Sequence, residues 1–298
     1  MNYPRITIVT PNFNGEEYLE ETILSVLSQN YPNLEYIIID GGSKDNSVEI
    51  IKKYENQLAY WISESDKGLY DAIQKGFDKS TGDIMAWINS DDIYQKKSFF
   101  TVAEIFTSFS DINWLLGMPT CLDEMGRTVF IDNIRRWSKL DYYLGDFQWI
   151  QQESIFWSRQ LWEKSGGYIS TNMKYAGDLE LWLRFFRHER LFVTHAQLGG
   201  FRLRSKNQLS LVFRDQYLEE AKAKIKNEID FYIPVEEKIY LKKIQKYNRI
   251  INSTKLKFLR RNLKSIFNPM IKKIKKAHFA YPSVIYFDRN IQKFIKND

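Results

Sequence analysis

The stretch Trp87-Ile88-Asn89-Ser90-Asp91-Asp92 is an apolar, β-rich run that ends abruptly in two adjacent carboxylates. Like charges side by side at the end of a buried strand repel, and desolvating them is costly unless a cation joins them. A divalent metal carrying phosphate makes the arrangement favourable. The rest of the first hundred residues follows the same plan. Strands are expected at Ile6–Thr10, Tyr36–Ile39, Ala59–Ser63 and Ile84–Ile88, with helices at Glu16–Gln29, Ser47–Tyr54 and Gly68–Lys79. The first helix repeats Leu19, Ile23, Val26 and Leu27 at helical spacing and gathers acids in its first turn, where the helix dipole favours them. Strict alternation of strand and helix implies an α/β fold with a mostly parallel sheet flanked by helices. In such sheets ligands sit at the carboxyl ends of the strands, where Asp40, Asp66, Asp91 and Asp92 all fall.

The 298 residues suit one large domain or a domain with an appendage, and an apolar content of 44% supports a packed core. The single cysteine, Cys121, excludes an intrachain disulfide and fits a reducing compartment. The chain opens on Ile6-Thr7-Ile8-Val9 without a basic-then-apolar leader. No apolar run approaches the roughly 20 residues of a membrane-spanning helix. A cytoplasmic protein is expected, with peripheral attachment to the inner face of the cell membrane as its variant.

Charge is distributed unevenly. Residues 1–200 hold 19 basic and 28 acidic side chains, whereas 201–298 hold 24 and 9, so an acidic body of −9 precedes a segment of +15. A catalytic domain over 1–205 and a basic amphipathic helical tail over 206–298 are expected. Tail helices are read at Leu211–Asp230, Val235–Ile251 and Lys255–Phe267, with Pro269 breaking the last and Ile271–Lys276 resuming in the same style. Leu256, Leu259, Leu263 and Ile266 form one face of the third. Such a tail can lie on anionic lipid, bind nucleic acid electrostatically, or pack on the acidic body. The apolar stripe favours the anionic membrane surface over nucleic acid.

In the middle section, Trp114–Met118 and Thr128–Ile131 read as strands flanking a turn at Asp123–Gly126. Arg159–Lys164 reads as a short helix and Leu179–Arg187 as a strongly aromatic one.

Each acidic motif has a plain structural alternative. Asp40-Gly41-Gly42-Ser43 alone is an ordinary turn, Glu64-Ser65-Asp66-Lys67-Gly68 a solvated loop, and Asp178 a helix N-cap. Trp182, Phe185 and Phe186 read as core, Trp149 and Trp157 as core or as platforms for a sugar ring, and His195 as structural.

Together, and in order, several motifs resemble family 2 glycosyltransferases of the GT-A fold. They are Thr10-Pro11-Asn12-Phe13-Asn14, Asp40 to Ser47, Ser65 to Ala72, Asn89-Ser90-Asp91-Asp92, Gln152 to Trp157 and Ala176 to Arg184. The likeness spans roughly residues 4–205. It implies an inverting, metal-dependent hexosyl-type transfer from a nucleotide-sugar, a UDP-sugar for preference, to a sugar or lipid-linked hydroxyl acceptor in polysaccharide or glycolipid synthesis. It also implies roles: Pro11 and Asn12 beside the base, Asp40 holding the base, Asp66 and Lys67 at the nucleoside, Asp92 ligating Mg²⁺ or Mn²⁺, and Asp91 at the ribose or the metal. Asp178 becomes the catalytic base. Relatives commonly carry Glu-Asp there, and Gly177 replaces the acid. Arg204 stands where relatives often show histidine, so Arg202, Arg204 or Lys206 is expected to grip the diphosphate. Glu180, two residues past Asp178, is expected to face elsewhere.

Two rival readings remain at this stage. A nucleotidyltransferase would want a glycine-rich, basic loop after the first strand, yet Thr10–Glu17 holds one glycine and no base. A non-catalytic lipid- or nucleic-acid-binding module would make Asp92 and Asp178 relics. Oligomeric state is not legible.

Overall fold

The computed structural model describes residues 3–146, 150–205, 208, 212–279 and 281–297. Its first half follows the expected alternation: β1 (Ile6–Asn12), α1 (Leu19–Leu27), β2 (Leu34–Asp40), α2 (Ser47–Tyr54), β3 (Tyr60–Ser63), α3 (Leu69–Lys79) and β4 (Ile84–Trp87). These four strands are parallel and adjacent in the order β4-β1-β2-β3. Ile6, Ile8, Val9, Ile37, Ile38 and Ile39 are fully or almost fully buried. Strands covered on both faces have no need of the polar alternation of a half-exposed sheet.

The chain continues through β5 (Ile93–Tyr94), α4 (Ser98–Ser108), β6 (Trp114–Leu116), β7 (Thr120–Leu122), β8 (Thr128–Ile131), α5 (Lys139–Tyr143), β9 (Ile155–Ser158), α6 (Arg159–Lys164), α7 (Gly177–Phe186), β10 (Phe192–Thr194) and β11 (Gly199–Arg202). The strand at 114 is shorter than expected and joins the main sheet. The hairpin across Asp123–Gly126 instead pairs β7 with β8. Gly117, Met118 and Pro119 separate β6 from β7. A second sheet, β5-β11-β7-β8, flanks the acidic loop after β4.

Beyond Ser205 the chain forms α8 (Arg214–Asn227), α9 (Val235–Ser253), α10 (Lys257–His278), β12 (Val284–Asp288) and β13 (Lys293–Asn297). Two expectations change here. Pro269 lies inside α10 and does not break it. Phe267 stacks on Tyr247 and His278 on Tyr240, and Ile271 and Ile274 join the core on the same side. This packing outweighs the ~3 kcal/mol that an interior proline costs a helix. The segment is also not helical throughout. Val284 and Ile285 pair in parallel with Val193 and Thr194 of β10, so β12 and β13 complete a nine-stranded sheet ordered β13-β12-β10-β6-β9-β4-β1-β2-β3.

Beneath α7 lies an aromatic layer of Phe77, Trp87, Trp114, Trp157, Trp162, Trp182 and Phe185, all buried. Trp157 is fully enclosed there and is core rather than a sugar platform; Trp149 lies outside the described residues. Trp87 and Trp182 stack at 5.6 Å with 11° between planes, which fixes α7 over the end of β4. His195 is exposed just after β10, and its backbone N–H bonds Ile285 O.

If the last hairpin belongs to the main sheet, Ile285→Ala should destabilise the whole domain by about 2–4 kcal/mol, the usual result of truncating a buried isoleucine. Urea unfolding followed by tryptophan fluorescence checks this. A separate early transition for the C-terminal segment, with the tryptophans undisturbed, would show that the hairpin is not integral.

Candidate active site

The carboxyl ends of β4, β1, β2 and β3 lie side by side, so Asp91 and Asp92, Asn12, Asp40 and Asp66 come to one edge of the sheet. Pro11 is buried near the end of β1. Pairing with β4 stops at Val9 and Trp87, so no ladder bond is lost where proline has no N–H. Lys67 is exposed on the loop between β3 and α3.

Asp40 is fully buried and turned inward. Its Oδ1 accepts from Asn12 Nδ2 at 2.7 Å and from Ser43 Oγ, and its Oδ2 from Ser43 N at 2.9 Å, Ser63 Oγ at 2.6 Å and Gly42 N at 3.2 Å. Burial pushes this carboxyl up, but the bonds from Ser43, Ser63 and Asn12 more than offset it and hold it below the usual range. Five donors already fill a carboxylate's acceptor sites. The expected contact between Asp40 and a base is therefore not what this geometry offers; Asp40 fastens the floor of the site. Asp66 closes that floor from the side. A Cβ at residue 41 would lie 2.6 Å from Asp66 Oδ2, so only glycine allows the two loops to meet.

Asp92 is fully buried, with Oδ1 accepting from Arg202 N at 2.8 Å and Oδ2 from Asn89 Nδ2 at 3.3 Å. Burial, then Asp91 and Glu153, push its carboxyl well above the usual range. Asp91 is partly exposed and faces Arg204, whose Nε lies 3.0 Å from its Oδ2. Burial raises Asp91 too, and Arg204 opposes the rise.

Arg202 does not reach for a ligand. Its guanidinium is fully buried and donates to Asp91 O (2.7 Å), Glu124 O (2.9 Å), Asp123 O (3.3 Å) and Glu21 Oε2 (2.6 Å), packed against the Tyr18 ring. The diphosphate role expected of Arg202 conflicts with this inward use of its donors. Arg204 lies on the rim, beside an open recess of about 520 Å³ lined by Glu124, Met125, Arg127, Val129, Leu203 and Ser205 among others. Lys206 lies outside the described residues.

The acid pair fits a hard divalent cation. The Asp92 carboxyl is buried beside Asp91 and Glu153, which disfavours its charged form until a cation joins it, and Asn89 Oδ1 beside it is buried without a hydrogen-bond partner among the described residues. Among the described residues no three His, Cys, Asp or Glu side chains converge as a ready-made cage. Mg²⁺-like ions are commonly held by one or two carboxylates, with water and substrate phosphates completing the shell.

Asp178 sits one residue inside α7, whose N-cap is Ala176, so it is a first-turn acid rather than the cap. Its Oδ1 accepts from Leu179 N at 2.8 Å and lies 3.5 Å from Tyr70 Oη, which donates to Tyr175 O at 3.0 Å. Burial raises the Asp178 carboxyl to about 6, against the hydrogen bonds that lower it. Gly177 follows from Tyr70: a Cβ there would stand 2.8 Å from the tyrosine ring. The aromatic ring thus takes the space of the acid that the motif usually carries. Glu180 turns away and pairs with Arg184 at 2.9 Å. Trp182, one turn after Asp178, stacks on Trp87 at the end of β4, and buried Glu153 feels both Asp91 and Asp178, its carboxyl raised to about 7 chiefly by burial. Asp178 and the acid pair therefore border one region.

Tyr70 and Glu153 lie within motifs the sequence singles out, and the structure brings both to the neighbourhood of Asp178. The space left by Gly177 is the signal that points to Tyr70. Nothing local points to Arg202 as a clamp.

The raised carboxyl at 178 has a stability consequence. Below pH 4 both folded and unfolded chains keep this proton. Between roughly 4 and 6 the unfolded chain ionises first, so stability falls as pH rises and levels off above about 6. Asp178→Asn should thus be more stable than the parent at pH 7.5, by on the order of 1–2 kcal/mol, with the gain vanishing toward pH 4. Urea titrations at both pH values test it; a variant less stable at pH 7.5 refutes the assigned burial.

Residues 7–165 match the model of glycosyl transferase family 2. An uncharacterised glycosyltransferase of Mycobacterium tuberculosis is 31% identical over 185 residues, covering 61% of this chain and 68% of that one. Another, from Rickettsia typhi, is 25% identical over 201 residues, covering 65% of this chain and 63% of the relative. Among solved structures, S. aureus TarS 1–349 in complex with UDP-GlcNAc superposes with a TM-score of 0.66 at 17% identity, over 91% of this chain and 79% of that one. The mannosyltransferase PcManGT from Pyrobaculum calidifontis, in complex with GDP-Man and Mn²⁺, does so at 0.60 and 15%, over 93% and 83%. The order of its strands, the acids at their carboxyl ends and the family model agree: the chain is a GT-A-fold enzyme that belongs to glycosyl transferase family 2.

Proposed function

We propose that this enzyme moves a sugar from a UDP-sugar to a hydroxyl acceptor, with inversion and with the help of Mg²⁺ or Mn²⁺, in the synthesis of a polysaccharide or glycolipid. The observation that carries this is the pairing of Asp178 with the Asp91–Asp92 loop through the Trp87–Trp182 stack. Above about pH 6 the Asp178 carboxylate is free to take the acceptor's hydroxyl proton. The acceptor oxygen then bonds to the anomeric carbon as the bond to the diphosphate oxygen breaks on the opposite face, leaving the nucleoside diphosphate. Asp91, Asp92 and Asn89 would hold the cation, which supplies charge neutralisation at the leaving diphosphate. Arg204 is the cationic side chain placed to exchange Asp91 for phosphate. Asn12, Asp66, Lys67 and Pro11 border the nucleoside, with Asp40 holding the loop beneath. The UDP-GlcNAc bound by TarS supports a UDP-sugar; the GDP-Man bound by PcManGT makes GDP-sugars the control.

A panel of UDP- and GDP-sugars with Mn²⁺, read first by thermal shift and then by nucleotide release, tests the donor. Asp92→Ala should lose metal-dependent nucleotide binding in calorimetry. Asp178→Asn should keep that binding and lose transfer by roughly 10²–10⁴-fold. Full transfer by Asp178→Asn would remove it as the base, and the absence of binding to any nucleotide-sugar would return the nucleotidyltransferase and binding-module readings.

We also propose that the basic segment rests on an anionic membrane surface at the cytoplasmic face, near lipid-linked acceptors. No helix among the described residues is long and apolar enough to cross a membrane. Residues 238–287 contain 14 Lys and Arg and no Asp or Glu. Leu256, Phe258, Leu259 and Ile266 are exposed at and beyond the turn between α9 and α10. Each basic residue near such a surface contributes roughly 1 kcal/mol, and the apolar side chains add insertion. Vesicles rich in phosphatidylserine should sediment the enzyme, neutral vesicles should not, and salt or Lys272→Glu with Lys273→Glu should weaken the association. Equal sedimentation with neutral vesicles, or preference for nucleic acid, would end this reading.

A further inference from the structure

Glu220 lies on α8, in the basic segment, yet its carboxylate points back into the enzyme body. Its Oε1 accepts from Lys174 N at 3.1 Å, and its Oε2 accepts from Tyr175 N and Ala176 N, each at 2.9 Å. Three consecutive backbone donors thus share one carboxylate, directly before Gly177 and Asp178. The Tyr175 ring stacks on Phe213, at the start of α8, with centroids 4.9 Å apart and 28° between planes. Tyr175 O in turn accepts from Tyr70 Oη, the hydroxyl nearest Asp178 Oδ1. The loop that leads into α7 is therefore held from both sides, by Tyr70 and by α8.

The N-terminal amides of a helix have no intrahelical acceptors, and an acid that meets them from another element both satisfies them and complements the dipole. Here α7 has no side-chain cap of its own at Ala176. Glu220, on a different element, meets the N-cap amide of Ala176 and the two amides before it, ahead of the helix's own first-turn acids Asp178 and Glu180. Gly177 leaves no acid before Asp178, because the Tyr70 ring fills that space.

We propose that Glu220 is a positioning residue for Asp178: it orders the 174–176 backbone and supplies the neighbouring negative charge that the sequence omits at 177. This rests on the reading of Asp178 as the base. The ionisable groups that act on Asp178 are Tyr70 from α3, Tyr142 from α5, Glu153 before β9, and Tyr217 and Glu220 from α8. Of these, Tyr70, Tyr142 and Tyr217 are pushed above the ordinary phenol range by burial and stay neutral, and Glu153, raised to about 7, is largely protonated near pH 6, which leaves the Glu220 carboxylate as the neighbouring charge. The inference also makes the segment after Ser205 part of the catalytic apparatus.

The titration needs no knowledge of donor or acceptor. The 298-residue protein labelled with ¹³C at the aspartate carboxyl carbons is titrated by NMR, with the Asp178 signal assigned through Asp178→Asn. In the parent the Asp178 midpoint should lie near 6. Glu220→Gln, which removes the charge and keeps an acceptor oxygen, should move that midpoint to lower pH. Glu220→Ala should do the same and should raise amide hydrogen exchange at Lys174, Tyr175 and Ala176 by roughly tenfold or more, as expected when their charge-assisted hydrogen bonds are lost. A merely structural acid would change exchange and melting temperature without moving the midpoint. If both variants leave the Asp178 midpoint where it is, the proposal falls. If the midpoint moves but Asp178→Asn transfers sugar at the parent rate, the base reading falls and the electrostatic link between 220 and 178 stands.

Discussion

Arg202 is buried without exposure, and a buried guanidinium is tolerable only when its donors meet acceptors. The acceptors come from four parts of the chain: Asp91 O in the acid loop, Asp123 O and Glu124 O in the β7–β8 turn, Glu21 in α1, and the Tyr18 face before it. The same residue's backbone N–H meets Asp92 Oδ1. One residue thereby ties the second sheet, the first helix and the Asp91–Asp92 loop into a single body. Arg204 faces Asp91 from the rim, and Arg202 adds a second, buried counter-charge beneath the adjacent acids.

The acid-rich edge follows from that support. Asp91, Asp92, Glu153 and Asp178 all have carboxyls pushed upward, with burial the largest cause in each. Asp40 goes the other way because its donors outweigh its burial. The site therefore separates two kinds of acid. Asp40 takes five donors within the protein and shapes it, whereas Asp92 and Asp178 take two each and keep raised carboxyls that suit partners from outside. Perturbed groups of the second kind cluster where chemistry occurs.

This division explains what could be read from residues alone. The strand endings at Asp40, Asp66 and Asp92 were legible because apolar runs with sharp polar stops mark parallel strands, and the edge they form follows from topology. The inward turn of Asp40 was not, because its donors Asn12 and Ser63 lie 28 and 23 residues away and become neighbours only when β1, β2 and β3 pair. Arg202 looked like a phosphate ligand because its charge was visible and its four acceptors, up to 181 residues distant, were not. Pro269 looked like a helix end because propensity is local, whereas the Tyr247–Phe267 and Tyr240–His278 stacks that keep α10 continuous are tertiary. The strand Val284–Asp288 lay hidden inside a segment dominated by lysine helices, and its partner β10 is 91 residues earlier in the register Val193–Val284 and Thr194–Ile285.

The C-terminal segment is consequently more than a charged appendage. It contributes a strand pair to the main sheet at one end and, through α8, a carboxylate to the start of α7 at the other. Arg187, just past α7, pairs with buried Glu228 beyond α8, and Lys139 of α5 pairs with Glu237 of α9 at 2.7 Å. Acids of the segment thus face the body, while the acid-free stretch from 238 to 287 leaves an excess of positive charge. A segment built only to bind an anionic surface would gain nothing from placing Glu220, Glu228 and Glu237 against the enzyme. Their placement instead ties the segment to the body at several points, with α8 bonded to the backbone before Asp178 and α9 bonded to α5.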